Sequence, residues 1–429
     1  MKKRKEIEVV MSTDYGTTTF LMNSGERYCL VIDRASGLPL HYPNLFLTTQ
    51  LRNSKSYSYS SIVSAANNLV VFLRFLERRV INLEDRVLNR QFFEIHELDD
   101  LRDFTQRQFL TKPVDETVLN MFSLDELEET RGIVESVTQY MRLTTIAEYF
   151  SWFANHIISK PDANESNLID KIEAQIKSRR PSKKSRNQDK DRSLDDIQVE
   201  ALFEVLRIDS QHNPFCVEVQ SRNRLMVLML YHLGLRGGEL LNLKIEDIDF
   251  SKHQVKVVRR ADEADDHRIK EPNAKTLERT IPMAETLSKE LYDYVTKDRR
   301  KVPNAKRNSF LFVTHKSGPT VGQPISKSGY HKVLLVVKAV SPQLYALTGH
   351  MLRHTWNRKF SEQMDSMGTP LGEERQEQIR SYLMGWKPGS GSAAHYNKRF
   401  KQEQANKAAL ALQASSGIRL PKELKGDGE

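Results

Sequence analysis

A mainly α-helical protein with a small antiparallel sheet, an α+β fold in more than one domain, is what the sequence predicts. Apolar residues recur every three or four positions over much of the chain. A few short stretches alternate polar and β-branched residues instead. One strongly basic stretch without apolar residues divides the chain. The length of 429 residues suits two to three domains and allows a sizeable core. With 39% hydrophobic and 28% charged residues, the composition is that of a folded protein rather than a disordered one. No uninterrupted apolar run approaches the roughly 18–20 residues of a membrane span. The basic start, MKKRKEIEVV, lacks the apolar region of a secretion signal, so a cytoplasmic location is expected. Cys29 and Cys216 lie far apart in no metal-ligand spacing, which excludes a disulfide framework and a cysteine-based zinc site.

Residues 1–45 form a strand-rich lead-in, with β-prone Thr18-Phe20-Leu21 and Tyr28–Ile32 punctuated by Gly25 and Gly37. It carries no motif and reads as structural decoration, with an accessory nucleic-acid-binding role as the alternative. Residues 46–176 follow as a helical domain. Ile62, Ala65, Leu69, Phe72, Leu73 and Leu76 mark the apolar face of one helix. Leu143, Ile146, Tyr149, Phe150, Phe153 and Ile157 mark another, near Arg142–Ile158. Its aromatics are either core or base-stacking groups, and helical spacing favours core.

Residues 177–192 (KSRRPSKKSRNQDKDR) hold eight basic and two acidic residues, one proline and no apolar residue. That composition predicts a linker. Its sign bias, including Lys183, Lys184 and Arg186, fits a segment that crosses a phosphate backbone better than a plain solvated tether. The whole chain has 65 Lys and Arg against 56 Asp and Glu, a net charge of +9 that suits a polyanionic partner.

A further domain, 193–405, opens with a helix capped by Ser193 and acidic in its first turn. A buried helix from Arg224 to Leu233 ends at Gly234. Residues 253–260 alternate as a strand, residues ending at Thr280-Ile281-Pro282 are its partner, and Ser309–Val313 is a further short strand. The rest is helical, and residues 406–429 form a tail.

Three segments of this domain carry chemistry. In Gly234–Leu243, Arg236 lies where a buried helix breaks and another begins. A half-buried arginine needs an anion, and Glu239 is the intramolecular candidate. In His350-Met351-Leu352-Arg353-His354-Thr355, His350 and Arg353 share a helix face. The third segment is Leu383-Met384-Gly385-Trp386, then a Pro/Gly/Ser loop, then His395-Tyr396.

Together these segments resemble the tyrosine recombinase (phage integrase) family over roughly residues 195–405, through GLRxxELLxLxxxDID, HxLRHT and LxGW followed by Tyr. The helical domain and basic linker resemble that family in architecture only. The resemblance implies a site-specific DNA recombinase that needs neither metal nor ATP and has no cofactor. Arg236 and Arg353 would hold the scissile phosphate, for which guanidinium forks are well shaped. His350 would assist proton transfer or hold the phosphate. Trp386 stands where many members have His; an indole N–H donates but exchanges no proton. Tyr396 would be the nucleophile, its phenol activated by surrounding cations. Lys275 would be the general acid, with Lys270 as the rival position. The Trp386–Tyr396 interval is one residue longer than the family's usual one, and the glycines of the intervening loop could absorb it. Tyr382 is expected in the core.

The resemblance also implies double-stranded DNA as partner and a homotetramer on paired sites, with the two larger domains clamping the duplex. The 406–429 tail would be exchanged between subunits, and accessory DNA-bending or directionality proteins would assist. Two alternatives share these residues: a type IB topoisomerase-like DNA-relaxing enzyme, and a DNA-binding protein that kept only the fold.

Overall fold

The first described element is a β-hairpin, and its sequence explains it. Strand β1 (Tyr15–Leu21) pairs antiparallel with β2 (Arg27–Asp33), and Gly25, at φ +89°, makes the turn. Alternate residues of β2, Arg27, Cys29 and Val31, point inward and are buried. The computed structural model describes residues 15–109, 132–182, 192–272, 276–366, 372–387 and 408–413. These divide into two compact units, one ending at Asp189 and the other starting at Lys190.

In the first unit the hairpin packs on the helices and shares their core. The helices are α1 (His41–Phe46), α2 (Tyr59–Arg78), α3 (Leu83–Leu88), α4 (Ile95–Gln106), α5 (Ser136–Ile157) and α6 (Ala163–Ser178). Helix α2 buries the expected face and more, since Ala66, Val70, Val71 and Phe75 are also inside. By length and hydropathy it would pass for a membrane span, the only described helix to do so. It is the central core helix instead, with 67% of that window buried within the unit. Buried Asn68 donates to Thr145 Oγ1 at 3.0 Å and fixes α2 against α5. The aromatics of α5 are core: Phe150 is fully buried and packs against Phe93 with ring centroids 5.5 Å apart.

The helical packing reaches further into the basic stretch than its composition predicts. Helix α6 runs to Ser178, Arg179 caps it and pairs with Asp99 at 2.8 Å, and the Arg180 guanidinium sits 4.5 Å over the Tyr140 ring. Arginine stems and faces pack well despite their charge, which a count of apolar residues misses.

The second unit is built around α8 (Val217–Leu233), whose stretch from Leu225 to Tyr231 is buried without a break. Helix α7 (Asp196–Val205) precedes it. Its cap is Asp195, whose carboxylate accepts from the Gln198 N–H at 2.7 Å, and not Ser193. Thr355 instead holds this entry, its Oγ1 accepting from the Leu194 N–H at 2.8 Å. After the short α9 (Gly237–Asn242) comes a three-stranded antiparallel sheet of β3 (Ile248–Asp249), β4 (Gln254–Val257) and β5 (Arg279–Pro282), in the order β3-β4-β5. Val255 pairs with Ile281, and Val257 with Arg279. Helices α10 (Glu285–Asp293), α11 (Lys327–Val340), α12 (Gly349–Ser366) and α13 (Glu373–Met384) complete the unit.

Residues 309–313 do not form the expected strand. Phe310 bridges Lys244 and Val313 bridges Pro324, each in isolation. Residues 310–313 are buried, but the two partners belong to different segments, so no ladder develops.

Phe150→Ala should lower the unfolding free energy of the full chain by about 3–5 kcal/mol, measured by urea denaturation, because the cavity left among the aromatic rings collapses poorly. A loss below about 1 kcal/mol would show that this ring is not a core residue.

Candidate active site

The site starts where α8 stops. Gly234 takes a left-handed conformation at φ +61° that ends the helix. A Cβ there would lie 2.6 Å from Met384 Cε and 3.1 Å from the Trp356 ring, so the helix end is pressed against the third motif. The chain continues extended through Arg236, and Glu239 lies in the first turn of α9. The Arg236 N–H donates to Glu239 Oε2 at 3.1 Å, and its guanidinium Nη1 is 3.4 Å from Oε1. The Arg236 side chain keeps 30% of its surface exposed, while that of Glu239 has none.

Glu239 gathers more than Arg236. Arg279 donates through Nη2 to Oε2 at 2.8 Å, Thr276 donates through Oγ1 to Oε1 at 2.6 Å, and Arg353 Nη1 lies 3.9 Å from Oε2. Burial pushes the Glu239 pKa up, but Arg279 first, then Arg353 and Thr276, outweigh it and hold it below the ordinary carboxylate value. Glu239 is therefore ionised at neutral pH.

Arg353, on α12, is 1% exposed. Its Nη1 donates to the Gly234 carbonyl at 2.6 Å and its Nη2 to the Met384 carbonyl at 2.8 Å. It thus ties the end of α8 to the end of α13. The buried Trp386 ring lies under it, 5.6 Å from the guanidinium carbon. Met384, Trp386 and Trp356 make a small apolar cluster around this contact.

His350 lies one turn before Arg353 on the same helix. It is solvent-exposed at its edge, yet the protein crowds its ring. Desolvation, then the charges of Arg353, Arg236 and Arg192, lower its pKa, so the imidazole is neutral at pH 7 and has one donor and one acceptor nitrogen. The His354 ring meets it edge-on at 4.8 Å.

The segment entering β5 is fastened to the third motif. The Leu277 N–H donates to the Gly385 carbonyl at 2.9 Å. Gly385 adopts φ +62°, and a Cβ there would lie 2.7 Å from the Leu277 carbonyl oxygen and 2.8 Å from Arg279 Nη1. Only glycine meets both demands.

Of the residues the sequence singles out, Arg236, His350, Arg353 and Trp386 meet around the ends of α8, α12 and α13. Lys275, Tyr396, Lys183, Lys184 and Arg186 lie outside the described residues. Lys270 is exposed, between the buried Arg268 and Glu271. Tyr382 is a correction: it is 61% exposed rather than core. It faces outward because α13 turns Gln376, Arg380, Ser381 and Met384 inward. Sequence reasoning missed Arg279 and Thr276. The signal was the strand alternation: if Ile281 points inward, so does Arg279, and an inward arginine requires an acid.

Residues 192–369 match the phage integrase family. A tyrosine recombinase XerD of Listeria innocua is 27% identical over 165 residues, which cover 37% of this chain and 49% of that protein. A tyrosine recombinase XerC of Staphylococcus haemolyticus is 28% identical over 159 residues, 37% of this chain and 44% of that protein. The chain thus spans half or less of the length of these curated relatives. Among solved structures, the XerH site-specific recombinase bound to palindromic difH substrate aligns with a TM-score of 0.49 at 15% identity, covering 84% of this chain and 81% of that one. The Tn1549 transposon integrase in complex with transposon right end DNA aligns with a TM-score of 0.47 at 15% identity, over 87% of this chain and 100% of that one.

Within the second unit, Glu239→Gln should cost roughly 3–5 kcal/mol of stability at pH 7, because it leaves buried guanidiniums uncompensated. The folded state releases the Glu239 proton at lower pH than the unfolded chain does, so the contribution of this carboxylate is present at neutral pH. It is lost as pH falls through about 4 and below. Denaturant unfolding of both proteins between neutral pH and pH ~3 should show the gap narrowing toward acid; a gap independent of pH would remove Glu239 from this role.

Proposed function

We propose that this chain is a site-specific DNA recombinase that cuts and rejoins strands through a 3′-phosphotyrosyl intermediate on Tyr396. One observation carries the proposal: a single buried carboxylate, Glu239, gathers Arg236 and Arg353, from motifs far apart in sequence, beside His350 and Trp386 within a phage integrase domain. A scissile phosphate gathers negative charge on its non-bridging oxygens during transfer, and preorganised guanidiniums stabilise it. Arg236, the more exposed of the pair, meets the phosphate from the solvent side, with neutral His350 as hydrogen-bonding partner. Trp386 supports the Arg353 guanidinium rather than moving a proton.

The Tyr396 oxygen attacks phosphorus, the bond to the 5′ oxygen breaks, and Lys275 gives that oxygen its proton. Attack by the 5′ hydroxyl of a second strand then reverses the step and frees the tyrosine. The phosphodiester energy is kept in the protein–DNA link, so the cycle draws on no nucleotide hydrolysis. Duplex DNA is the partner, and a tetramer on paired sites, helped by DNA-bending or directionality proteins, is the working assembly. The place of action is the cytoplasm, on DNA. Residues 408–413 are helical and exposed throughout, with Leu410 and Leu412 each 65% exposed, which supports a tail that docks on a neighbouring subunit.

Tyr396→Phe removes the attacking oxygen and keeps the ring. On a nicked suicide site, the wild type should form a covalent protein–DNA adduct while Y396F forms none yet still binds the duplex. An adduct from Y396F would move the nucleophile elsewhere, first to exposed Tyr382. Relaxation of supercoiled plasmid without sequence preference would favour a topoisomerase.

Neutralising Lys183, Lys184 and Arg186 together should weaken binding to every duplex sequence alike. The slope of log K against log salt should become shallower by about 0.9 for each DNA phosphate that is no longer neutralised. An unchanged slope would make the linker a solvated tether.

A further inference from the structure

Strand β5 presents alternate residues to the core, and at one of its inward positions it carries a charge. Ile281 fills one such place, while Arg279, opposite Val257, fills the other and is 4% exposed. A guanidinium taken from water there is costly unless every arm is met. Each described arm is met, and by a different part of the domain. Nη2 donates to Glu239 Oε2 at 2.8 Å, Nη1 to Thr276 Oγ1 at 3.2 Å, and Nε to the Leu383 carbonyl at 2.7 Å. One side chain thereby joins the first motif, the segment entering β5 and the third motif. Gly385 leaves room for it, since a Cβ there would lie 2.8 Å from Nη1.

The distances around Glu239 are unequal. Arg279 holds the short contact at 2.8 Å, Arg236 has only 3.4 Å, and Arg353 stands off at 3.9 Å. Three guanidiniums around one carboxylate leave a local net charge of +2. We propose that Arg279 is a positioning residue for phosphoryl transfer: by occupying Glu239 tightly, it keeps the carboxylate from capturing Arg236 and leaves that guanidinium to the DNA phosphate. Without Arg279 the cluster falls to +1, and Arg236 becomes the nearest cation to a buried anion that keeps only Thr276 as a close side-chain donor. Phosphate and Glu239 would then compete for the same fork. Arg279 acts through Arg236 and does not itself touch the phosphate.

This inference rests on the recombinase reading, and a double-mutant cycle separates the two. Full-length protein in excess is incubated with a nicked suicide site, and the first-order rate of adduct formation is measured beside duplex affinity. Arg279→Gln should leave affinity within about threefold but slow adduct formation about 100-fold, the scale of losing one preorganised donor. Arg279→Lys, which keeps the charge but not the fork, should recover at least about tenfold of that loss. In an Arg236→Lys background the loss from R279Q should shrink to about threefold, because both changes act on one interaction. A full 100-fold loss in that background, or an R279Q rate within threefold of wild type, would overturn the proposal and leave Arg279 a fold-holding residue. If R279Q shows no thermal transition, R279K is carried through the same cycle with the same criterion of non-additivity. Absence of an adduct from the wild type itself would instead overturn the recombinase reading.

Discussion

One buried carboxylate organises the second unit. Glu239 has no exposed side-chain surface and stands among three arginines. An ionised acid in that position is stable only because Arg279, Arg353 and Thr276 surround it, and those residues are tolerable inside only because the acid is there. The dependence is mutual. It draws the end of α8, strand β5 and the end of α13 onto one point. The left-handed glycines Gly234 and Gly385 permit the close backbone approach that this point requires. Under the proposed phosphoryl transfer, a positive cluster held this rigidly would need no reorganisation as charge grows on the phosphate.

The contrast between Arg236 and Arg353 follows from the same arrangement. Arg353 is locked by two carbonyls and stacked over Trp386, so it behaves as structure as much as charge. Arg236 is partly exposed and loosely paired, so it is the adaptable member. Under the proposed function, a rigid inner cation and a freer outer one would divide between them the holding and the capture of a phosphate. Burial of the His350 ring, and then the field of these arginines and of Arg192, lower its pKa and favour the neutral imidazole.

The N-terminal unit is held together differently. Its core is a nest of aromatic and aliphatic side chains from α2, α4, α5 and α6, with few charges inside. Hydrophobic burial is non-directional and survives many substitutions, whereas the Glu239 cluster depends on geometry at the scale of one hydrogen bond. The two units therefore make opposite demands on sequence: pattern in the first, particular residues in the second.

The sequence by itself determined the helical periodicity of α2 and α5, the break at Gly234, the pairing of β4 with β5, and the candidates Arg236, His350, Arg353 and Trp386. Local backbone preferences and motif spacing fix these, and they act over a few residues. Only the tertiary structure decided that Arg279 belongs to the site, that Tyr382 faces outward, that residues 309–313 make isolated bridges, and that Arg179 and Arg180 pack on the helical unit. Each of these outcomes depends on which segment lies opposite. Arg279 and Glu239 are 40 residues apart in the chain and 2.8 Å apart in space. The linear sequence records the charge of an arginine but not its partner, and the partner decides whether that charge is solvated, structural or chemical.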